Sequence, residues 1–527
     1  MGSLPDLTER SRSHSVRPAT RTISDPHRHH AVIPQIPVGN FCKKEWLWRK
    51  SKTPTKMPQL VSNRRRESVA SSLGATSVRR LITRPPQKLP KPIIIRFSLL
   101  CVASGLCSTV ILPFTAFAGA EAGATPLAIM HAVAAIIAPF SPIVLQRTGT
   151  RAVVAAAHVL VGILLLAHSI ATPLAILLVL YALCGLMLSP MQLALAASAT
   201  SFAQAAGDEL KRKVMLRRAL RALKAAQDVG LVFGSSMLGL ALIIWPENLL
   251  PLLQLPTRLQ NYSTPGWPPS EDDLAEEDFE EMTCGASGCP DIQSLVGISL
   301  SAEGRTVVVV LWAILSFAAA ALAVYGAASI PSPPPDARSI YKDPRAYLSF
   351  PMGLFIGLQQ GFIYTSYIKW YGVCIGGWSE AWRALCGAGA LQAIAAVTLS
   401  MAAARGRRGA LAAGGAAAHA SLLLALLRWR AARTDLALPT VAASAWGACA
   451  ALWDVLQVGL CVGGAGWRGP WSLTLAARHA GVALACGARQ CLCVRTQLAV
   501  LALALVAGLA SHTVLELKMR RDQRHRT

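Results

Sequence analysis

Few side chains in this sequence can do chemistry from inside its long apolar stretches, and most of them fall late in the chain. His419, Asp454, Arg478 and His479 are ionisable residues within such stretches, accompanied by the uncharged amides of Gln359 and Gln360. An ionisable group is costly in an apolar helix and is kept when it lines a substrate or proton path or when it is paired. Asp454 and Arg478 lie on neighbouring stretches with opposite charge, so a structural ion pair is the plainer expectation and a transport site the sharper one. The earlier stretches offer almost none beyond Arg96 and Asp228, both near an end. A carrier that works by alternating access draws its site from both halves, and here one half is nearly empty. Enzymatic chemistry is not expected. There is no P-loop, dinucleotide fingerprint, metal-binding helix or nucleophile elbow, and the thirteen Cys form no zinc pattern, so neither cofactor nor metal is implied.

The elements that must position these residues are membrane spans. The 527 residues are 53% hydrophobic and 15% charged, with a mean hydropathy of +0.44. Apolar stretches of the ~20 residues that cross a bilayer begin near Ile93, Pro126, Ala152, Pro173, Val229, Thr306, Leu348, Ala381, Gly409, Thr440, Trp471 and Leu498. The expectation is an all-α membrane protein with twelve transmembrane helices. Spans one to five occupy 93–247, span six 306–328 and spans seven to twelve 348–517. Because short loops rich in Lys and Arg stay cytoplasmic, both termini are expected inside. Lys211, Arg212, Lys213, Arg217, Arg218, Arg221 and Lys224 then form a cytoplasmic loop, as does the linker 329–347, and 518–527 is a basic cytoplasmic tail. Arg428, Arg430 and Arg433 are the exception, placed outside. Residues 248–305 are acidic, from Glu271 to Glu281, and carry the sequon Asn261-Tyr262-Ser263, so this loop is expected in the lumen with Asn261 open to glycosylation.

Residues 1–92 are polar, Pro-rich and basic, and are expected to be a disordered cytoplasmic tail and linker near anionic lipid. A transit peptide is the weaker alternative. The +24 net charge reflects topology and lipid contact; the basic runs lack the interleaved aromatics of a nucleic-acid site. Arg21 to Pro26 places Ser24 in an order that phosphoserine-binding proteins read, and Arg65-Arg66-Glu67-Ser68 suits a basophilic kinase. An unmodified solvated tail is the plain alternative for both.

Two Gly/Arg turns recur at the second cytoplasmic hairpin of each six-span half: Arg147, Gly149 and Arg151 in the first, Arg405 to Arg408 in the second. They resemble part of the major facilitator superfamily signature, whose plan is two parallel six-helix halves. Pro142 and Gln146 depart from it.

Residues 350–374, aromatic and Gly-rich with Gln359 and Gln360 at the centre and Cys374 after them, resemble the seventh span of the Unc-93 family. The ending Tyr371-Gly372-Val373-Cys374 is similar to that family's homologue B branch. Ser189-Pro190, Gly414 to His419 and Trp446-Gly447 agree, while Ala450 and the long acidic insert before Cys284 depart from it. The resemblance implies a non-enzymatic, facilitator-shaped adaptor that escorts client membrane receptors of the Toll-like type from endoplasmic reticulum or endosomal membranes, and His419 would then couple to the client. Another branch implies a regulatory subunit of potassium channels, at the plasma membrane. A small-solute secondary transporter is the alternative from a different class. Cys284 and Cys374 have counterparts in the B branch, which implies a bridge between them, with Cys289 free or joined to Cys491 or Cys493. A local Cys284 to Cys289 bridge is the rival.

Overall fold

The structure, a computed structural model, describes residues 90–121, 124–170, 172–205, 209–249, 284–290, 297–327, 343–404, 408–432, 434–462 and 466–524. The tail with Ser24 and Ser68, the sequon at Asn261 and the acidic run from Glu271 to Glu281 lie outside them. Among the described residues twelve long helices follow in order, the first six being α1 Lys91–Glu121, α2 Thr125–Thr148 with a 3-10 turn at Ala138–Phe140, α3 Thr150–Ser169, α4 Leu174–Gln204, α5 Glu209–Ile244 and α6 Ala302–Gly326. Then come α7 from Phe350 to Gly376, α8 Trp378–Ala404, α9 Arg408–Arg428, α10 Leu438–Cys461, α11 Arg468–Cys491 and α12 Val494–Arg524. Ten of these are long and apolar enough to cross a membrane by length and composition alone. The other two, α7 and α11, are a helix interrupted by a π-helical stretch at Ile363–Val373 and a helix diluted by Arg468, Arg478, His479 and Arg489. Large apolar side chains such as Ile243, Leu503 and Val506 point outward, where lipid is their natural solvent. One short ribbon joins the helices: Pro246–Leu249 pairs antiparallel with Gly297–Leu300, carrying the chain from the end of α5 to the start of α6.

The helices pack as one pattern used twice. Within the first half α1 lies against α5 and α6, α3 against α6, and α4 against α2 and α3; within the second, α7 lies against α11 and α12, α9 against α12, and α10 against α8 and α9. Adding six to each helix number converts one set into the other. The halves meet along α5 with α8 and α2 with α11, which the same shift also exchanges. Glycines mark the repeat: a Cβ on Gly230 of α5 would collide with the carbonyl oxygen of Gly105 on α1, and one on Gly481 of α11 with that of Leu354 on α7. Such close backbone approach is how helices associate where no hydrophobic force separates protein from solvent.

Helix α5 corrects the sequence expectation. It begins at Glu209 rather than near Val229, so Lys211 to Lys224 are helical and not a loop. A hydropathy window stops where charge begins, but the segment keeps a helical period, with Leu216, Leu220 and Leu223 interleaved between the basic positions.

Candidate functional site

A cavity of about 650 Å³ lies between the two halves. Its wall runs from Lys213, Arg345, Arg408 and Met519, at the basic end of the bundle, to Thr115, Leu127, Thr365 and Cys486 deeper in. At its centre two cations and two carboxylates form a chain. The Lys224 ammonium on α5 reaches Asp228 Oδ1 at 2.8 Å, one turn along the same helix, and Asp454 Oδ2 on α10 at 3.1 Å. The other oxygen of Asp454 accepts from Arg478 Nη1 on α11 at 3.1 Å. Arg478 also donates from Nε and Nη2 to Gln360 Oε1 on α7, both at 3.0 Å, and Gln392 on α8 donates to Asp228 Oδ1 at 2.9 Å. Thus Asp454 and Arg478 do pair, but as two links of a longer chain. The first half is not empty: Lys224 and Asp228 face the cavity, one expected in a loop and the other near a span end.

A second polar contact crosses the halves on the other side. His131 of α2 and His479 of α11 meet with their Nδ1 atoms 3.0 Å apart, so one ring donates and the other accepts. Asp228 and His479 hold corresponding places, each two residues before the glycine that seats its helix, Gly230 and Gly481. Gln359, nearly fully buried, lines the cavity with an Oε1 that has no partner among the described residues.

The far end of the cavity is closed. Arg489 of α11 donates to the carbonyl of Ala120 on α1 at 2.9 Å, and the rings of Phe117 and Trp378 pack 5.1 Å apart. Beyond them Cys284 is bonded to Cys374 at the end of α7, and Cys289 to Cys493 at the head of α12. Cys491 is a free, exposed thiol. The segment 284–290, which the chain places between α5 and α6, is therefore fastened to the second half, and Val494 N–H donates to Gly288 at 2.9 Å. A side chain at Gly288 would strike the ring of Trp370.

His419 lies outside the cavity wall. It is fully buried in α9, its Nδ1 accepts from Trp453 Nε1 at 3.2 Å, and Phe355 and Trp446 meet its ring edge to face. Gly149 turns the chain between α2 and α3 with φ 80°, a conformation other residues rarely take; Arg147 is exposed, and Arg151 Nε reaches the Ala327 carbonyl at 3.5 Å. Before α7, Asp343 caps the short helix Pro344–Leu348 and holds Arg345. Burial would raise its carboxyl, but hydrogen bonds from the Arg345 guanidinium and N–H outweigh this and hold it below the usual carboxylate value.

No family model matches the chain, and no curated protein matches it. Among solved structures, the fucose:proton symporter of E. coli is similar over 81% of this chain and 99% of its own, at 16% identity and a TM-score of 0.50. The fold is major facilitator-like. The nucleoside transporter NupG is similar over 80% of this chain and 99% of its own, at 11% identity and a TM-score of 0.49. The Lys224 to Arg478 chain stands at the interface of the two halves, in a cavity open toward one end and sealed at the other. The sequence signal that could have found it is the recurrence of Lys213, Arg217, Arg221, Lys224 and Asp228 at helical spacing.

Proposed function

We propose that this chain is a secondary carrier of a small polar solute, and that the cavity between its halves is the solute site. The observation that carries this is the ionic chain itself, which takes Lys224 and Asp228 from one half and Asp454 and Arg478 from the other, with unused polar valences facing an open space. A structural ion pair needs no cavity beside it. With the basic end on the cytoplasmic side, the described conformation faces inward. The disulfides lie at the opposite end, where an oxidising compartment would keep them. Both bonds fasten the segment 284–290 to the second half. A carrier must visit a second state in which the mouth closes. Spin labels at Arg212 on α5 and Met401 on α8 should report two distance populations in lipid, with Asp454→Asn shifting their ratio. A single population in wild type and variant alike removes the carrier reading.

A second reading is the adaptor that the Unc-93 resemblance implies, escorting a client receptor. The observation that favours it is the outer face of α9, where Ala413, Gly414, Ala417 and Ala420 are exposed and a side chain at Gly414 would meet nothing. Co-purification of a membrane receptor that is lost in Gly414→Leu, with the label distances unchanged, would favour this reading over the first.

A further inference from the structure

The charge on the cavity wall narrows the class of solute. On α5, Lys213, Arg217, Arg221 and Lys224 recur at intervals of four, four and three, which stacks them on one helix face, and all four line the cavity. Arg408, Arg478 and Arg345, the last held by Asp343, add three more cations, while Asp228 and Asp454 are the only carboxylates on the wall among the described residues. The carboxylates lie behind the cations: their side chains are 2% and 9% exposed, against 24% for Lys224 and 20% for Arg478. Unused donors face this space too, whereas the unpaired Oδ2 of Asp228 is buried. Lys224 uses two of its three N–H groups, on Asp228 and Asp454; Arg478 uses three of its five, on Asp454 and Gln360. Three donors therefore remain at the centre. The buried Nε of Arg221, one turn toward the mouth, has no partner among the described residues.

We propose that the cavity binds a small organic anion, a carboxylate or phosphate ester, held by the remaining N–H groups of Lys224 and Arg478 and drawn in along the α5 ladder. The orphaned Oε1 of Gln359 accepts from a hydroxyl of the same molecule. This assignment deepens the carrier reading and rests on it for its purpose, but binding itself requires no transport. The cavity volume suits a metabolite-sized ligand with its water. The headgroup of an anionic lipid offers the same chemistry from the basic end.

The test uses full-length protein in nanodiscs of phosphatidylcholine. Trp446 and Trp471 line the cavity and report occupancy by fluorescence. Titration with succinate, inorganic phosphate and glycerol 3-phosphate should give a saturable change for at least one anion, and choline should give none. The double variant Arg217→Gln with Arg221→Gln, which leaves the central ionic chain intact, should weaken that anion about tenfold. A probe that needs no knowledge of the ligand complements this: Ala450→Cys places a thiol on the wall, in a parent whose free Cys107 and Cys486 on the wall and exposed Cys491 are replaced by Ala. Its reaction with an anionic methanethiosulfonate, relative to a cationic one, should exceed the ratio seen for free 2-mercaptoethanol by about tenfold. Saturable binding of choline, or a thiol that favours the cationic reagent, overturns the proposal. So does failure of all three anions together with an unshifted reagent ratio. Adding phosphatidylglycerol separates the two sources of anion: loss of the succinate or phosphate response by competition assigns the site to a headgroup, and an unchanged response assigns it to a soluble anion. Anion binding with a single label-distance population keeps this site and removes the carrier; two populations without anion binding do the reverse.

Discussion

Replacing Lys224 with Met removes the one group that touches both buried carboxylates. Asp454 keeps Arg478 at 3.1 Å, so the loss falls on Asp228, which among the described residues is left with a single donor, Gln392, and one oxygen with no partner. Taking one partner from a buried ion pair costs about 3–5 kcal/mol. Lys224 is roughly a quarter open to the cavity, whose water screens the pair, so the expected cost is about 2–3 kcal/mol. The sequel is more telling than the loss. Adding Asp228→Asn removes the stranded charge while an amide can still meet Gln392, so the double variant should regain about 2 kcal/mol over Lys224→Met alone. In SDS titrations of folded protein in mixed micelles that is a factor of about thirty in the unfolding equilibrium. If the second substitution adds to the damage instead of reversing it, Lys224 is not the counter-ion of Asp228 and the central chain is misdrawn.

Four further outcomes follow from the same structure. Non-reducing peptide mapping should yield Cys284 with Cys374 and Cys289 with Cys493, and a fragment closed by Cys284 and Cys289 would contradict the fastening of that segment to the second half. Gly230→Val and Gly481→Val should each destabilise by about 3 kcal/mol in the same titration, because the colliding atoms are backbone on both sides; equal tolerance of either would break the claimed repeat. His419→Ala should cost about 1–3 kcal/mol through the orphaned Trp453 N–H and the emptied ring site, with anion binding unchanged since the ring is off the cavity wall. Asp343, with its folded pKa depressed, contributes stability that is complete above the unfolded carboxyl value near ~4 and fades as pH falls through the lower folded value. Asp343→Asn should therefore flatten the acid limb below about pH 4, and an unchanged limb would mean that the Arg345 contact does not exist in solution.

The spans were legible because ~20 apolar residues in a row leave little else for a chain to do, and the two-half plan was foreshadowed by the turns at Gly149 and Arg405 to Arg408. The site was half legible. Asp454 and Arg478 stood out as charges inside apolar helices, whereas Lys224 and Asp228 were hidden by their company: seven basic residues in a short segment read as loop charge, and only their spacing betrays a helix face turned to a cavity. The contact of His131 with His479 was invisible, since their meeting depends on how α2 crosses α11. The pairing of Cys289 with Cys493 stayed open for the same reason, because two neighbouring cysteines, Cys491 and Cys493, differ only in which way a helix end turns.

The fastened segment also sets an order on biogenesis. Cys284 and Cys289 emerge from synthesis together, yet their partners arrive 90 and 204 residues later, the second at the head of the last helix. At ~5–20 residues per second, Cys289 waits roughly 10–40 s with a reactive thiol before its partner exists. A chain that stops short of α12 lacks that partner, so the pairing of one cysteine records whether synthesis has passed Cys493.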